Sequence, residues 1–177
     1  GDVYVITQGS GPLSVNDSLV ENLTAQPWAQ LVSPEIFVLT SIEGQPVFVR
    51  GVDPTVFLPM DGGTWVDGGV RPGDWAAVGA GLESRLALPL GTSLTLTGSS
   101  APRLAVVPVT GVFHAATSAN DELLVPIPLA RFFASIAPGS YYSVRVKTSD
   151  VPALLPFLQR YGTALHITSP SSAPGAL

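Results

Sequence analysis

Two strand–helix–strand segments, one near each end of the chain, constrain the fold more than any other feature. At the start, DVYVITQ (residues 2–8) alternates and is rich in Val, Ile and Tyr, the pattern of a strand. Gly9-Ser10-Gly11-Pro12 turns. Ser14 followed by Asp17 then has the spacing of a capping box, and Val15, Leu19 and Leu23 recur at four-residue intervals, which predicts a helix over about residues 15–26, stopped by Pro27. At the other end YYSVRVK (141–147) alternates, with Tyr142, Val144 and Val146 on one face and Tyr141, Ser143, Arg145 and Lys147 on the other. Ser149 is placed to cap a helix whose Val151, Leu154, Leu155 and Leu158 face a sheet. Pro156 costs that helix one backbone bond, Gly162 can close it, and TALHIT (163–168) reads as the last strand. Two such units can share one sheet in the split βαβ manner, which brings the chain ends together and expels the middle as a second lobe.

A β-hairpin is the clearest structure between them. Residues 36–42 (IFVLTSI) and 47–52 (VFVRGV) are β-branched and aromatic runs, and Glu43-Gly44-Gln45-Pro46 supplies turn chemistry, with Gly44 free to take positive φ. Ser33-Pro34 and Asp53-Pro54 bracket the hairpin, since the residue before a proline is pushed away from the helical region. Residues 57–73 (FLPMDGGTWVDGGVRPG) lose periodicity and read as a boundary loop. Beyond it, Leu82, Leu86 and Leu90 mark a short amphipathic segment, and 92–97 (TSLTLT) and 104–114 (LAVVPVTGVFH) are extended runs. Pro108 within the latter implies an edge or a bulge. Residues 122–127 are extended, and 128–134 start a short helix with proline in its first turn. The middle therefore reads as a compact, mostly β module.

Composition narrows the function classes. With 177 residues the chain can bury roughly 70% of its unfolded surface without staples, which agrees with its zero cysteines. Only 12% of the residues are charged, about half the usual share, and the net charge is −5. Eight basic residues with no run among them cannot neutralise a row of phosphates, so nucleic acid is not expected as a partner. About one residue in five is Gly or Pro, below the range that signals disorder. The opening Gly1-Asp2 and a lone Met60 suggest a piece of a longer protein, with no leader and no apolar run of spanning length in view.

The chemistry-bearing residues are sparse. There is no cysteine, no G-x-S-x-G elbow and no third glycine after Gly9 and Gly11, and the two histidines, His114 and His166, sit in separate strand runs without an HExxH pattern. No catalytic, metal-binding or cofactor-binding residue is expected, although thirteen scattered acids leave paired-carboxylate chemistry open. Asp61 and Asp67 lack the oxygen spacing of a calcium loop and read as solvated turn residues. The Asn16 and Asn22 sequons fall on a predicted helix and read as chance matches. Four large groups remain in the glycine-rich stretch: Phe57, Met60, Trp65 and Trp75 are either anchors that pin it to the body or a contact surface for a partner.

The order and spacing of VSPEIFV, VFVRGVDP, AAVGAGLESRLALPLGTSLTL, LAVVPVTGVFHA, DELLVPIPLARFF and YYSVRVKTSDVPALLPFL resemble the periplasmic core domain of MacB/FtsX/LolC-like ABC transporter permeases, over almost the whole chain. The resemblance implies an α+β fold: a split βαβ, ferredoxin-like porter lobe (1–56 with 139–170), an inserted, mostly β, sabre-like lobe (57–138) and a flexible tail (171–177). It also implies a non-enzymatic domain on the extracytoplasmic side of the cell membrane, with no cofactor. Its partners would be a second permease subunit, a cytoplasmic ATP-binding subunit or domain coupled through membrane helices, and an extracytoplasmic adaptor or substrate. The alternative is an extracellular small-ligand-binding or sensor domain, which would need a concave, mainly apolar pocket of several hundred cubic ångströms.

Overall fold

The computed structural model describes residues 1–9, 15–98, 102–160 and 165–168. In chain order these form β1 (Asp2–Gln8), α1 (Asp17–Thr24), β2 (Leu31–Ile42), β3 (Gln45–Gly51), α2 (Pro54–Met60), β4 (Thr64–Gly68), β5 (Ala76–Gly79) and α3 (Ala80–Leu86). There follow β6 (Ser93–Thr97), β7 (Leu104–His114), a single 3-10 turn (Ser118–Asp121), β8 (Leu123–Val125), α4 (Ile127–Ala134), β9 (Ser143–Thr148), α5 (Val151–Gln159) and β10 (Leu165–Thr168). The fold is α+β, and the chain divides into two compact units. One comprises Gly1–Glu35 and the chain from Ala137 through the last described residue, and the other runs from Ile36 to Ile136.

The first unit is the split βαβ sheet that the two terminal segments imply. Its strands lie in the order β10-β1-β9-β2, every neighbour antiparallel, with Ile6 opposite Val144 and Val32 opposite Val146. Alternation explains the packing: Ile6, Val144 and Val146 turn to one face, where Leu19 and Leu23 of α1 and Leu154, Phe157 and Leu158 of α5 cover them. Each such fully buried leucine contributes roughly 1.5–3 kcal/mol relative to exposure. Trp28 closes the cluster edge-on to Phe157, ring centroids 5.7 Å apart. The caps differ from expectation. Asn16 Oδ1 accepts from the Leu19 amide at 3.0 Å and Asp150 Oδ1 from the Ala153 amide at 3.1 Å. α1 therefore begins two residues later than its hydrophobic pattern suggests, and α5 one residue later than a Ser149 cap would set it; Ser149 is not the cap, and Ser14 and Gly162 lie outside the described residues.

The second unit is mostly β and carries the hairpin. Its strands run β2-β3-β8-β5-β7-β4, with β6 also paired to β7, and the β3–β8 and β5–β7 pairs are parallel. Glu43 and Gly44, at φ 52° and 76°, make a two-residue connection between Ile42 and Gln45 whose twist matches that of the strands. Pro108 pairs with Ser93 at the end of the β6 ladder. Val109 then begins the β5 ladder with a register irregularity, so the strand changes neighbours at its proline.

Four expectations are corrected here. The lobe boundary lies at Glu35/Ile36 rather than at 56/57, because residues 36–42 pair with β3, and β3 in turn pairs with β8. On the return the units divide at Ile136/Ala137 rather than at 138/139. Ser33-Pro34 does not stop β2: the strand starts at Leu31, and Pro34 sits opposite Val144 with ladder partners on both sides. The stretch 57–73 is not a loop. Asp53 Oδ1 accepts from the Thr55 amide at 3.0 Å and Pro54 follows in the first turn, so the dipeptide that ends β3 also starts α2. The tail (171–177) lies outside the described residues.

Candidate functional site

The residues offered as a partner surface separate in space. Phe57 and Trp75 lie in one buried cluster with Phe113, Val52, Leu58 and Ala77, and Met60 is buried as well, so these three are core anchors of the second unit. Helix α2 explains this, because Phe57 and Met60 are three positions apart and share its inner face. Trp65 alone stays accessible, 36% exposed on β4, a strand whose five residues all face solvent. Its ring lies over Gly111, where an added Cβ would approach Trp65 Cζ3 to 2.6 Å. The rest of the side chain is packed, so Trp65→Ala should lower stability by about 1–2 kcal/mol, read as a small shift in the thermal midpoint. A shift as large as that of a Phe57→Ala variant would make Trp65 a core residue too.

Among the described residues the titratable groups do not converge on a reactive centre. His114 ends β7 opposite Thr64 and His166 lies in β10 opposite Thr7, both exposed and in different units. Among the described residues no three His, Asp or Glu side chains are grouped to hold a metal ion. Asp67 is exposed, but it lies in β4 opposite Val112 rather than in a turn. Asp61 is buried instead, its Oδ2 accepting from Thr117 Oγ1 at 3.2 Å and its carbonyl from the Ala116 amide at 3.2 Å. It is a structural fastener.

Surface depressions among the described residues include the following two. One of about 410 Å³ beside the hairpin turn is lined by Leu39, Thr40, Ser41, Gly44, Pro46, Thr97 and Gly98, without an ionisable side chain. The other, of about 280 Å³, lies between α1 and α5 with Asn22, Gln26, Phe157 and Arg160 on its walls, Arg160 stacked 5.3 Å from the Phe157 ring. Neither brings a nucleophile to a base.

What the sequence reading missed are two buried ion pairs, one in each unit. In the second unit Arg50 is fully buried and bidentate to Glu122, with Nε to Oε1 at 2.7 Å and Nη2 to Oε2 at 3.1 Å. The rings of Phe37, Phe57 and Phe48 surround its guanidinium at 4.6, 5.5 and 5.7 Å. In the first unit Arg145 Nε donates to Glu35 Oε2 at 2.8 Å, and Ser33 Oγ donates to the same oxygen at 2.8 Å. Both members of that pair are almost completely shielded from solvent. One signal was available for Arg50: a single charge inside the apolar run VFVRGV of a charge-poor chain. Arg145 had none, because an alternating Tyr-Ser-Arg-Lys face looks solvated.

Comparison with known proteins places this architecture. No family model matches the chain, and no curated protein does. Solved structures match over nearly its whole length. The periplasmic region of MacB from Actinobacillus actinomycetemcomitans superposes with a TM-score of 0.68 at 15% identity, covering 96% of this chain and 89% of that one. The extracellular domain of the noncanonic ABC-type transporter YknZ from Gram-positive bacteria gives 0.66 at 14% identity, over 95% and 100%. A domain from Porphyromonas gingivalis, of a protein described as a permease, gives 0.59 at 17% identity, over 95% and 89%. With a split βαβ unit into which a mostly β unit is inserted, the chain has the fold of the MacB-like extracytoplasmic domains of ABC transporter permeases.

Proposed function

We propose that this chain is the extracytoplasmic domain of an ABC transporter permease subunit and performs no chemistry of its own. In this reading membrane helices flank the domain, and an ATP-binding subunit or domain in the cytoplasm moves them. The movement passes through a dimer of permease subunits to a substrate or adaptor outside the membrane. The observation that supports it is likeness from end to end: both units of this chain are matched by whole domains of transporter proteins, with little left over on either side.

Sidedness tests it directly. The chain has no cysteine, so Gln45→Cys, exposed at the hairpin turn, adds a single thiol to this domain. In the full-length protein, with any cysteines outside this domain replaced, that thiol should react with a membrane-impermeant maleimide in intact cells. Labelling that requires disruption of the cytoplasmic membrane would place the domain inside and defeat the proposal.

A further inference from the structure

We propose that the buried Glu35–Arg145 pair is a shear clamp, the point at which pull entering the first unit is passed into β2; the inference rests on the permease reading, in which the domain carries load. The first observation is the route. β1 pairs with β9 from Asp2/Thr148 to Thr7/Ser143, β9 pairs with β2 from Leu31/Lys147 to Glu35/Ser143, and β2 continues without a break to Ile42. Pull applied at Gly1 and resisted beyond Glu35 therefore runs along these strands and loads both ladders in shear.

The second observation is that apolar contacts do not hold the β9–β2 ladder against sliding. On the face toward the helices, Val32 and Pro34 lie opposite Val146 and Val144, and a two-residue slip in the direction of the pull sets Val32 against Val144 and Pro34 against Tyr142, apolar and aromatic groups again. A one-residue slip is forbidden, because it would exchange the apolar face with the face that carries Ser33, Glu35 and Arg145; a two-residue slip is not. The opposite face breaks this degeneracy. Ser33 is opposite Arg145 and Glu35 is opposite Ser143, so the carboxylate meets the guanidinium diagonally and takes the Ser33 hydroxyl as well. Any slip separates two charges shielded from bulk solvent, where an ion pair specifies register more surely than it adds stability. The Tyr142 amide donating to the Glu35 carbonyl at 3.1 Å marks the same end of the ladder.

Single-molecule pulling on this chain tests the clamp. Handles on cysteines at Gly1 and Gln45 load β9–β2 in shear, whereas handles at Gln30 and Ser149, whose side chains touch at 3.2 Å, unzip the same ladder from its other end. Glu35→Gln should raise the rupture rate at constant load by about a hundredfold in shear and leave unzipping within about threefold of the parent. The double variant Glu35→Leu/Arg145→Met should recover the thermal midpoint but not the shear resistance. Equal loss in both geometries, or a double variant as shear-resistant as the parent, would overturn the clamp; if the double variant does not fold, the Glu35→Gln comparison decides alone. Failure here leaves the maleimide result untouched, so the clamp and the permease reading fail separately.

Discussion

Arg50→Met is expected to destabilise the second unit by about 3–5 kcal/mol, the usual consequence of removing one member of a buried ion pair. At this chain length that corresponds to a fall in the midpoint on the order of 10 °C. The guanidinium is fully buried, its two bonds to Glu122 are well formed at 2.7 and 3.1 Å, and three phenylalanine rings line its sides. Methionine fills a similar volume and keeps the contacts with Phe37 and Phe57, so the loss comes mainly from the carboxylate of Glu122, still shielded from water without its cationic partner. The pair also ties distant parts of the chain together, since Arg50 lies in β3 and Glu122 immediately precedes β8, and these strands pair in parallel from Val49/Leu123. Replacing both, Arg50→Met with Glu122→Leu, should return most of the stability, because a well-packed apolar pair costs no desolvation. Calorimetry and circular dichroism on the single and double variants check this. An additive double variant, as unstable as the two losses summed, would mean that the two side chains act independently.

The same residues show what could be read from the sequence. β1, β6 and β9 alternate in sequence and β7 is a plain extended run, and the split βαβ sheet follows from β1 and β9 together with two helices whose apolar residues recur every three or four positions. β5 was not legible. Ala76–Gly79 is four residues long and buried on both faces, so no alternation exists to be seen. β4 was hidden because the irregularity between Trp65 and Asp67 interrupts its period. α2 was hidden because Asp53-Pro54 is at once a good strand end and a good helix start, and only the fold selects between them. Missing α2 left Phe57 and Met60 undecided between anchor and contact surface, because they have an inner face to occupy only if the helix exists. The buried ion pairs were illegible for a different reason: a charge on a strand declares its partner only through pairing with residues 72 or 110 positions away.

Gly79→Ala should be nearly as damaging as the loss of Arg50, with one added methyl group. Gly79 ends β5 and stands at the start of α3, with φ −62° and ψ 142°, a conformation open to alanine, so backbone strain has no part in the effect. The obstacle is space. A Cβ there would sit 2.3 Å from the Asn120 carbonyl oxygen, 2.5 Å from its carbon and 2.8 Å from the Ala119 carbonyl oxygen, all of them backbone atoms that no rotamer change can move. The segment it would displace is held on three sides: the Gly79 amide donates to the Glu122 carbonyl at 2.9 Å, the Ala115 amide to Asn120 Oδ1 at 3.1 Å, and Ala119 is fully buried. Relief therefore requires the 3-10 turn to move as a body, at a cost of about 3 kcal/mol, the upper part of the range for overpacking. Gly44→Ala supplies the contrast, because its Cβ meets nothing within 4 Å and the penalty is confined to the left-handed φ of 76°, on the order of 1 kcal/mol. The two variants should differ by several degrees in thermal midpoint, and amide exchange should quicken around residues 115–122 in Gly79→Ala alone. Equal midpoints would show that the 3-10 turn yields freely and that the β5–α3 junction is not tightly packed.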